Sequence, residues 1–221
     1  MAADPIKVYD ARWQVDDFND DAVRRLFEAT YAYGRQLGVD TVTLTRDARL
    51  GAGRVLEIAT DTAVRMGLHT YLCAEPISTP HSYFTTLLIS QAHPKTMGLT
   101  ITASHNPREY IGVKFTVPTV QAIGLNCGPH GGLTRIREIY HSREPLAAVS
   151  PGTLTLINTT REYIDFSMKQ ACIRDGDLSG LRVVLDTFHG SCGSELFMTL
   201  DRAGVEIVPL RLISDGNFPT G

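Results

Sequence analysis

Ser104, His105 and Lys114 lie close together in GLTITASHNPREYIGVKF, residues 98–115. A serine hydroxyl is a weak nucleophile unless a base activates it or it already carries the group to be transferred. Here its neighbours are donors and cations, and no Asp or Glu occurs between residues 102 and 108. Such surroundings suit a dianionic phosphate on Ser104 better than an acyl group, because phosphoryl transfer depends chiefly on positioning and on neutralising equatorial charge. A serine hydrolase would place its nucleophile in a GxSxG elbow, and Ser104 has none. The plainer alternative is a strand exit in which Ser104 and Asn106 make local backbone hydrogen bonds.

The elements around this stretch decide whether those side chains can meet. The run 99–102 reads as a buried strand that ends at Ala103, and ligands in parallel α/β sheets bind beyond the carboxyl ends of strands. Pro107 biases Asn106 toward an extended backbone, Gly112 permits close approach, and Lys114 projects from the following strand. Upstream, residues 6–9 read as a short edge strand and 19–38 as a helix capped by Asn19 or Asp20 and stopped by Gly38. The run 41–45 is β-branched, 53–67 is an amphipathic helix, 69–73 a strand and 83–91 a buried helix. Alternation of this kind predicts βαβ units and a mixed, mostly parallel sheet with helices on both faces.

The pattern lapses into prolines and glycines over 116–132, and a helix follows at 134–142. Residues 143–154 read as a linker, so the division falls near residue 150: domain one over 1–150 and domain two over 151–221. The second part predicts a helix within 158–171, a strand at 181–187, a helix at 194–204 and a strand at 205–210. His189 and Cys192 invite a Cys–His site, but turn geometry explains TFHGSC better, and RDGD at 174–177 reads as an ordinary turn before a strand.

The chain has 221 residues, 43% of them hydrophobic and 20% charged, which suits a soluble α/β protein of two domains. A net charge of −3 is no footprint for a polyanion, so nucleic acid is not an expected partner. No apolar run approaches a membrane span, and no membrane partner is expected. Four cysteines without a CxxC pair and an N-terminus without an apolar segment predict reduced thiols and a cytoplasmic location.

TASHNP followed by GVKF resembles the phosphoserine loop of the α-D-phosphohexomutases, the phosphomannomutase/phosphoglucomutase superfamily. The likeness extends in order along the chain. YDAR (9–12) is similar to the family's Tyr-Asp-Ile-Arg, RDARL (46–50) to Arg-Asp-Thr-Arg-Leu, and ISTP (77–80) to Val-Pro-Thr-Pro. VVLDTFHGSCG (183–193) resembles the opening of the second domain, and DGNFPTG (215–221) a loop near its end. Departures are Trp13 where glycine is usual, Ala48 for threonine, Gly-Ala-Gly at 51–53 for serines, and Ile111 for asparagine.

The resemblance implies a reversible mutase that interconverts hexose 1-phosphate and hexose 6-phosphate through a phosphoserine and a hexose 1,6-bisphosphate. Its catalytic set here would be Ser104, His105, Lys114 and Arg12, with Ser104 carrying the phosphate. Lys114 would contact phosphate and assist proton transfer, Arg12 would approach from the first strand, and His105 would hydrogen-bond. Asp47 and Arg49 would hold the fold rather than touch substrate. The expected cofactor is Mg²⁺, bound through the phosphate on Ser104, with aspartate ligands from an Asp-Gly-Asp-Gly-Asp-Arg loop that this sequence does not contain. The expectation is therefore the first domain and most of the second of a four-domain enzyme, inactive alone, with a phosphorylated sugar as substrate. Which sugar is preferred and the oligomeric state stay open. A non-catalytic sugar-phosphate-binding or regulatory relative is the alternative.

Overall fold

The computed structural model describes residues 4–142 and 149–219. In chain order the first part comprises β1 (Ala11–Gln14), α1 (Asp20–Gln36), β2 (Thr41–Arg46), α2 (Ala52–Arg65), β3 (His69–Pro76) and α3 (Thr79–Ser90). Then come β4 (Thr96–Ile101), β5 (Tyr110–Val117), β6 (Gln121–Ala122), α4 (Leu133–Ser142) and β7 (Leu154–Leu156). These strands form one sheet in the order β1-β5-β4-β2-β3-β7, with β6 on β5. Strands β4, β2, β3 and β7 are mutually parallel, whereas β5 runs antiparallel to both β4 and β1.

Period-two alternation divides the two faces of β2. Val42 and Leu44 join the main core with Leu26 and Phe27 of α1 and Leu56 and Ala59 of α2. Each of the larger buried side chains contributes about 1.5–3 kcal/mol from water exclusion. Thr43 points the other way and meets Thr86 of α3, hydroxyl to hydroxyl at 2.7 Å. Polar strand residues are tolerated there because their hydroxyls are paired. α3 lies so close to the sheet that a Cβ at Gly98 would stand 2.4 Å from Thr86 Oγ1 and 2.5 Å from Thr116 Oγ1.

The helix boundaries follow local chemistry. Asn19 is the N-cap of α1, its side chain accepting from the Ala22 amide at 2.9 Å, and Gly38 follows the end at φ 75°. Ser78 caps α3 in the same way, with Pro80 in the first turn. The edge strand expected at 6–9 does not form. Ile6 makes a single antiparallel bridge to Ala11, closed by Lys7 N to Asp10 O at 2.7 Å and Arg12 N to Pro5 O at 2.8 Å; the chain turns between them and leaves Val8 and Tyr9 exposed.

The remaining elements are α5 (Thr160–Gln170), β8 (Arg182–Asp186), α6 (Gly193–Arg202) and β9 (Glu206–Leu210). β8 and β9 are parallel, and Ile164, Met168 and Ala203 form a small core of their own. Half of the expected linker, residues 143–148, lies outside the described residues. β7, beyond residue 150, adds to the first sheet through Thr70–Leu154, Tyr71–Thr155 and Leu72–Leu156 pairing. The turn expected at 174–177 is present, with Asp177 Oδ2 accepting from the Arg174 amide at 2.9 Å.

A buried polar cluster joins the two parts. His81 of α3 is fully buried, its Nδ1 lies 2.8 Å from Glu195 Oε2 of α6, and its Nε2 lies 3.0 Å from Thr159 Oγ1. Tyr163 stacks on the imidazole at 4.4 Å. Every polar atom of the ring is thereby satisfied across the junction.

Candidate active site

Ser104 stands past the carboxyl end of β4, half-buried, with a left-handed backbone at φ 55°. That conformation is uncommon for a residue with a Cβ and persists only where neighbours over-determine it. Two neighbours do so. The Ser104 amide donates to Thr102 Oγ1 at 2.9 Å, and Arg49 grips the loop from beneath. Arg49 Nη2 donates to the carbonyls of Ser104 (2.8 Å) and Asn106 (2.6 Å), and Nη1 to those of Pro107 (2.8 Å) and Tyr110 (3.0 Å). Its planar fork suits this task.

Asp47 completes the clamp, with Oδ2 3.3 Å from Arg49 Nε and Oδ1 accepting from the Arg49 amide at 3.0 Å. Burial pushes the Asp47 carboxyl above its ordinary pKa, against hydrogen bonds from Thr102 and Arg49 that pull it down. Asp47 and Arg49 thus support the serine loop through its backbone.

The sheet register brings the cations to one face. Arg12 in β1 pairs with Gly112 in β5, and Lys114, two residues on, pairs with Thr100 in β4. Arg12, Gly112 and Lys114 therefore share the α3 face, while Ile111, Val113 and Phe115 enter the main core on the other. Gly112 is required between them, because a Cβ there would stand 2.3 Å from Ala11 O and 3.0 Å from Thr102 O. Tyr9 collects both cations: Arg12 Cζ lies 5.6 Å and Lys114 Nζ 5.4 Å from its ring centroid.

Arg12 is further fixed by Asp10 at 2.7 Å and by Asn106 Oδ1 at 2.8 Å, which ties it to the serine loop. His105 is exposed beside Ser104. Two antiparallel pairings bring Arg12 and Lys114 to one sheet face, Arg12 reaches the serine loop through Asn106, and Ser104 and His105 line the neighbouring cleft. Tyr9 and Asn106 were not singled out from sequence, although both stand inside quoted motifs. Only the register shows that Tyr9 faces both cations.

The loops after β8 face Ser104 across a cleft of about 960 Å³, lined by Arg49, His105, Arg108, Phe188 and Phe218 among others. They are docked on the turn that holds the clamp: Ser191 Oγ accepts from the Ala48 amide at 2.8 Å, and a Cβ on Gly216 would meet Ala48 O at 2.4 Å. His189 and Cys192 form no joint site. His189 Nδ1 bonds Ile213 O at 2.9 Å, and Cys192 is the N-cap residue of α6.

Among the described residues no three His, Cys, Asp or Glu side chains converge as a metal site. A seryl phosphate would offer oxygens to Mg²⁺, but Mg²⁺ also requires carboxylate or water ligands in octahedral array. Glu109 also lines the cleft but is paired with Arg108 at 3.1 Å, and the other side chains named around Ser104 are cationic or amide-bearing, so this donor set does not fit a Mg²⁺ site by itself.

The family model described as phosphoglucomutase/phosphomannomutase, alpha/beta/alpha domain I, matches residues 5–126. A phosphomannomutase of Escherichia coli is 26% identical over 227 aligned residues, covering 97% of this chain and 46% of the relative. A phosphoglucosamine mutase of Magnetococcus marinus is 32% identical over 186, covering 82% and 35%. The crystal structure of a phosphoglucomutase/phosphomannomutase family protein from Burkholderia thailandensis shares the fold at a TM-score of 0.81 and 23% identity. That likeness covers 100% of this chain and 46% of that one. The chain spans about half the length of the curated relatives it matches. On the match over 5–126, which contains the serine loop, both cations and the Arg49 clamp, the chain belongs to the phosphoglucomutase/phosphomannomutase family.

Proposed function

We propose that this chain supplies the phosphoserine-bearing part of a phosphohexomutase, which interconverts hexose 1-phosphate and hexose 6-phosphate through a hexose 1,6-bisphosphate. The observation that carries this reading is the left-handed Ser104 at a strand's carboxyl end, with Arg12 bonded to its loop through Asn106. A hydroxyl so held, beside cations and without a carboxylate in its turn, suits storage of a phosphoryl group.

In the forward step a sugar hydroxyl attacks the phosphorus on Ser104. The bond from phosphorus to Oγ breaks as the new P–O bond forms. Lys114 is assigned donation of its ammonium proton to the departing Oγ, after which the free amine takes the proton of the sugar hydroxyl, and it also contacts phosphate. Arg12 stabilises the same charge, and His105 donates a hydrogen bond. The bisphosphate then turns end for end, and its other phosphate returns to Ser104 by the reverse sequence. Mg²⁺ is proposed to be held largely by ligands other than the described residues, and no step here depends on it.

Incubation with a hexose 1,6-bisphosphate labelled in phosphorus should place label on Ser104, and Ser104→Ala should abolish it with the fold intact. Label retained by the Ser104→Ala protein moves the nucleophile elsewhere. The 221-residue chain alone should show little turnover in a coupled mutase assay, and turnover comparable with that of a longer family member would overturn that expectation.

A further inference from the structure

Opposite the serine loop, the cleft wall is aromatic. Phe188 lines this cleft and is 56% exposed. Phe218 is half-buried beside it in the same cleft. Both have left-handed backbones, at φ 50° and 45°. A bulky residue in that region is strained, and such strain gathers at ligand sites.

Each ring is held rather than left loose. The Phe188 amide donates to Asp186 Oδ1 at 3.1 Å, and its ring lies 4.0 Å from Arg211 Cζ. Arg211 is itself forked onto Asp186, with Nε donating to Oδ1 at 2.8 Å. The Phe218 amide donates to Asp215 O at 3.0 Å, and its ring faces Arg49, the clamp of the serine loop, at 5.6 Å.

We propose that Phe188 and Phe218 are specificity-determining residues that receive the apolar C–H face of a sugar ring whose phosphate lies toward Ser104. The inference rests on the functional reading above and names the part of the ligand that this second wall takes. Inorganic phosphate would use only the polar wall. A cleft of about 960 Å³ exceeds what a lone phosphate fills and falls within the range for small-molecule sites. A phosphosugar matches both walls: a dianion for the donors near Ser104 and a ring face of C–H groups for the phenylalanines.

The test is calorimetric titration of the chain with glucose 1-phosphate and, separately, with inorganic phosphate at the same ionic strength. The wild type should bind the sugar phosphate about tenfold more tightly than phosphate. Phe188→Asn suits the left-handed backbone, so the fold should persist. Phe188→Asn and Phe218→Ala should each cut that preference by about three- to tenfold and leave phosphate affinity unchanged. Phe188→Tyr should restore it. Equal affinity for the two ligands in the wild type, or an unchanged preference in both variants, would overturn the inference and leave the wall to a polypeptide partner. Failure of both ligands to bind the wild type would overturn the functional reading with it.

Discussion

Arg49 Nη2 lies 2.8 Å from the carbonyl oxygen of Ser104, and the same guanidinium reaches the carbonyls of Asn106, Pro107 and Tyr110. The serine's position is therefore held through its backbone, which leaves the hydroxyl uncommitted among the described residues. Lysine is a point donor and cannot span four carbonyls. Arg49→Lys should lower stability by about 2–4 kcal/mol, since hydrogen bonds to charged groups are lost and Asp47 loses its partner. Urea denaturation measures this, and a loss below about 0.5 kcal/mol would rule out the clamp.

Gly112 lets β1 approach β5. Gly112→Ala would drive a methyl against Ala11 O, 2.3 Å from the ideal Cβ, so β1 must shift and carry Arg12 with it. The expected cost is about 1–3 kcal/mol. Amide exchange should quicken along β1 more than along β2. Unchanged protection at residues 11–14 would contradict this account.

The junction between the two parts depends on His81 and Glu195. Glu195→Ala leaves the buried His81 Nδ1 without its partner and should cost about 1–3 kcal/mol, whereas Glu195→Gln keeps a hydrogen-bonding group and should cost less. Limited proteolysis should then cut the second part sooner in the alanine variant. Equal cutting rates in the two variants would show that the pair does not hold the junction.

Acid should loosen the loop that presents Phe188. The hydrogen bond and charge of Arg211 hold the Asp186 carboxyl below its ordinary pKa. A depressed folded-state value means that its stabilisation is present above the unfolded pKa and is lost as pH falls through the folded one. Between about pH 5 and about pH 3 the wild type should therefore lose more stability than Asp186→Asn, as followed by thermal melts. Parallel losses in the two proteins would remove Asp186 as the cause.

The helices and most strands were legible because their signals are local. Asn19 and Gly38 bound α1, threonine-rich runs mark strands, and Gly-rich turns separate them. Where the expectation failed, at 6–9, the chain turns back on itself after one bridge between Ile6 and Ala11, too short to extend into a strand. β7 escaped notice because a three-residue strand has no periodicity of its own and exists only as a partner of β3.

That Ser104 ends a strand among cations, and that the chain resembles this family, can be read from residue order alone. Distances along the chain carry no record of register. Folding alone reveals that Arg12 and Lys114 share a face beside Tyr9, that Arg49 grips the loop from 55 residues away, and that Phe188 and Phe218 line the cleft with Ser104. Those relations come from strand pairing and packing between elements, where two residues meet because both belong to one sheet and its loops.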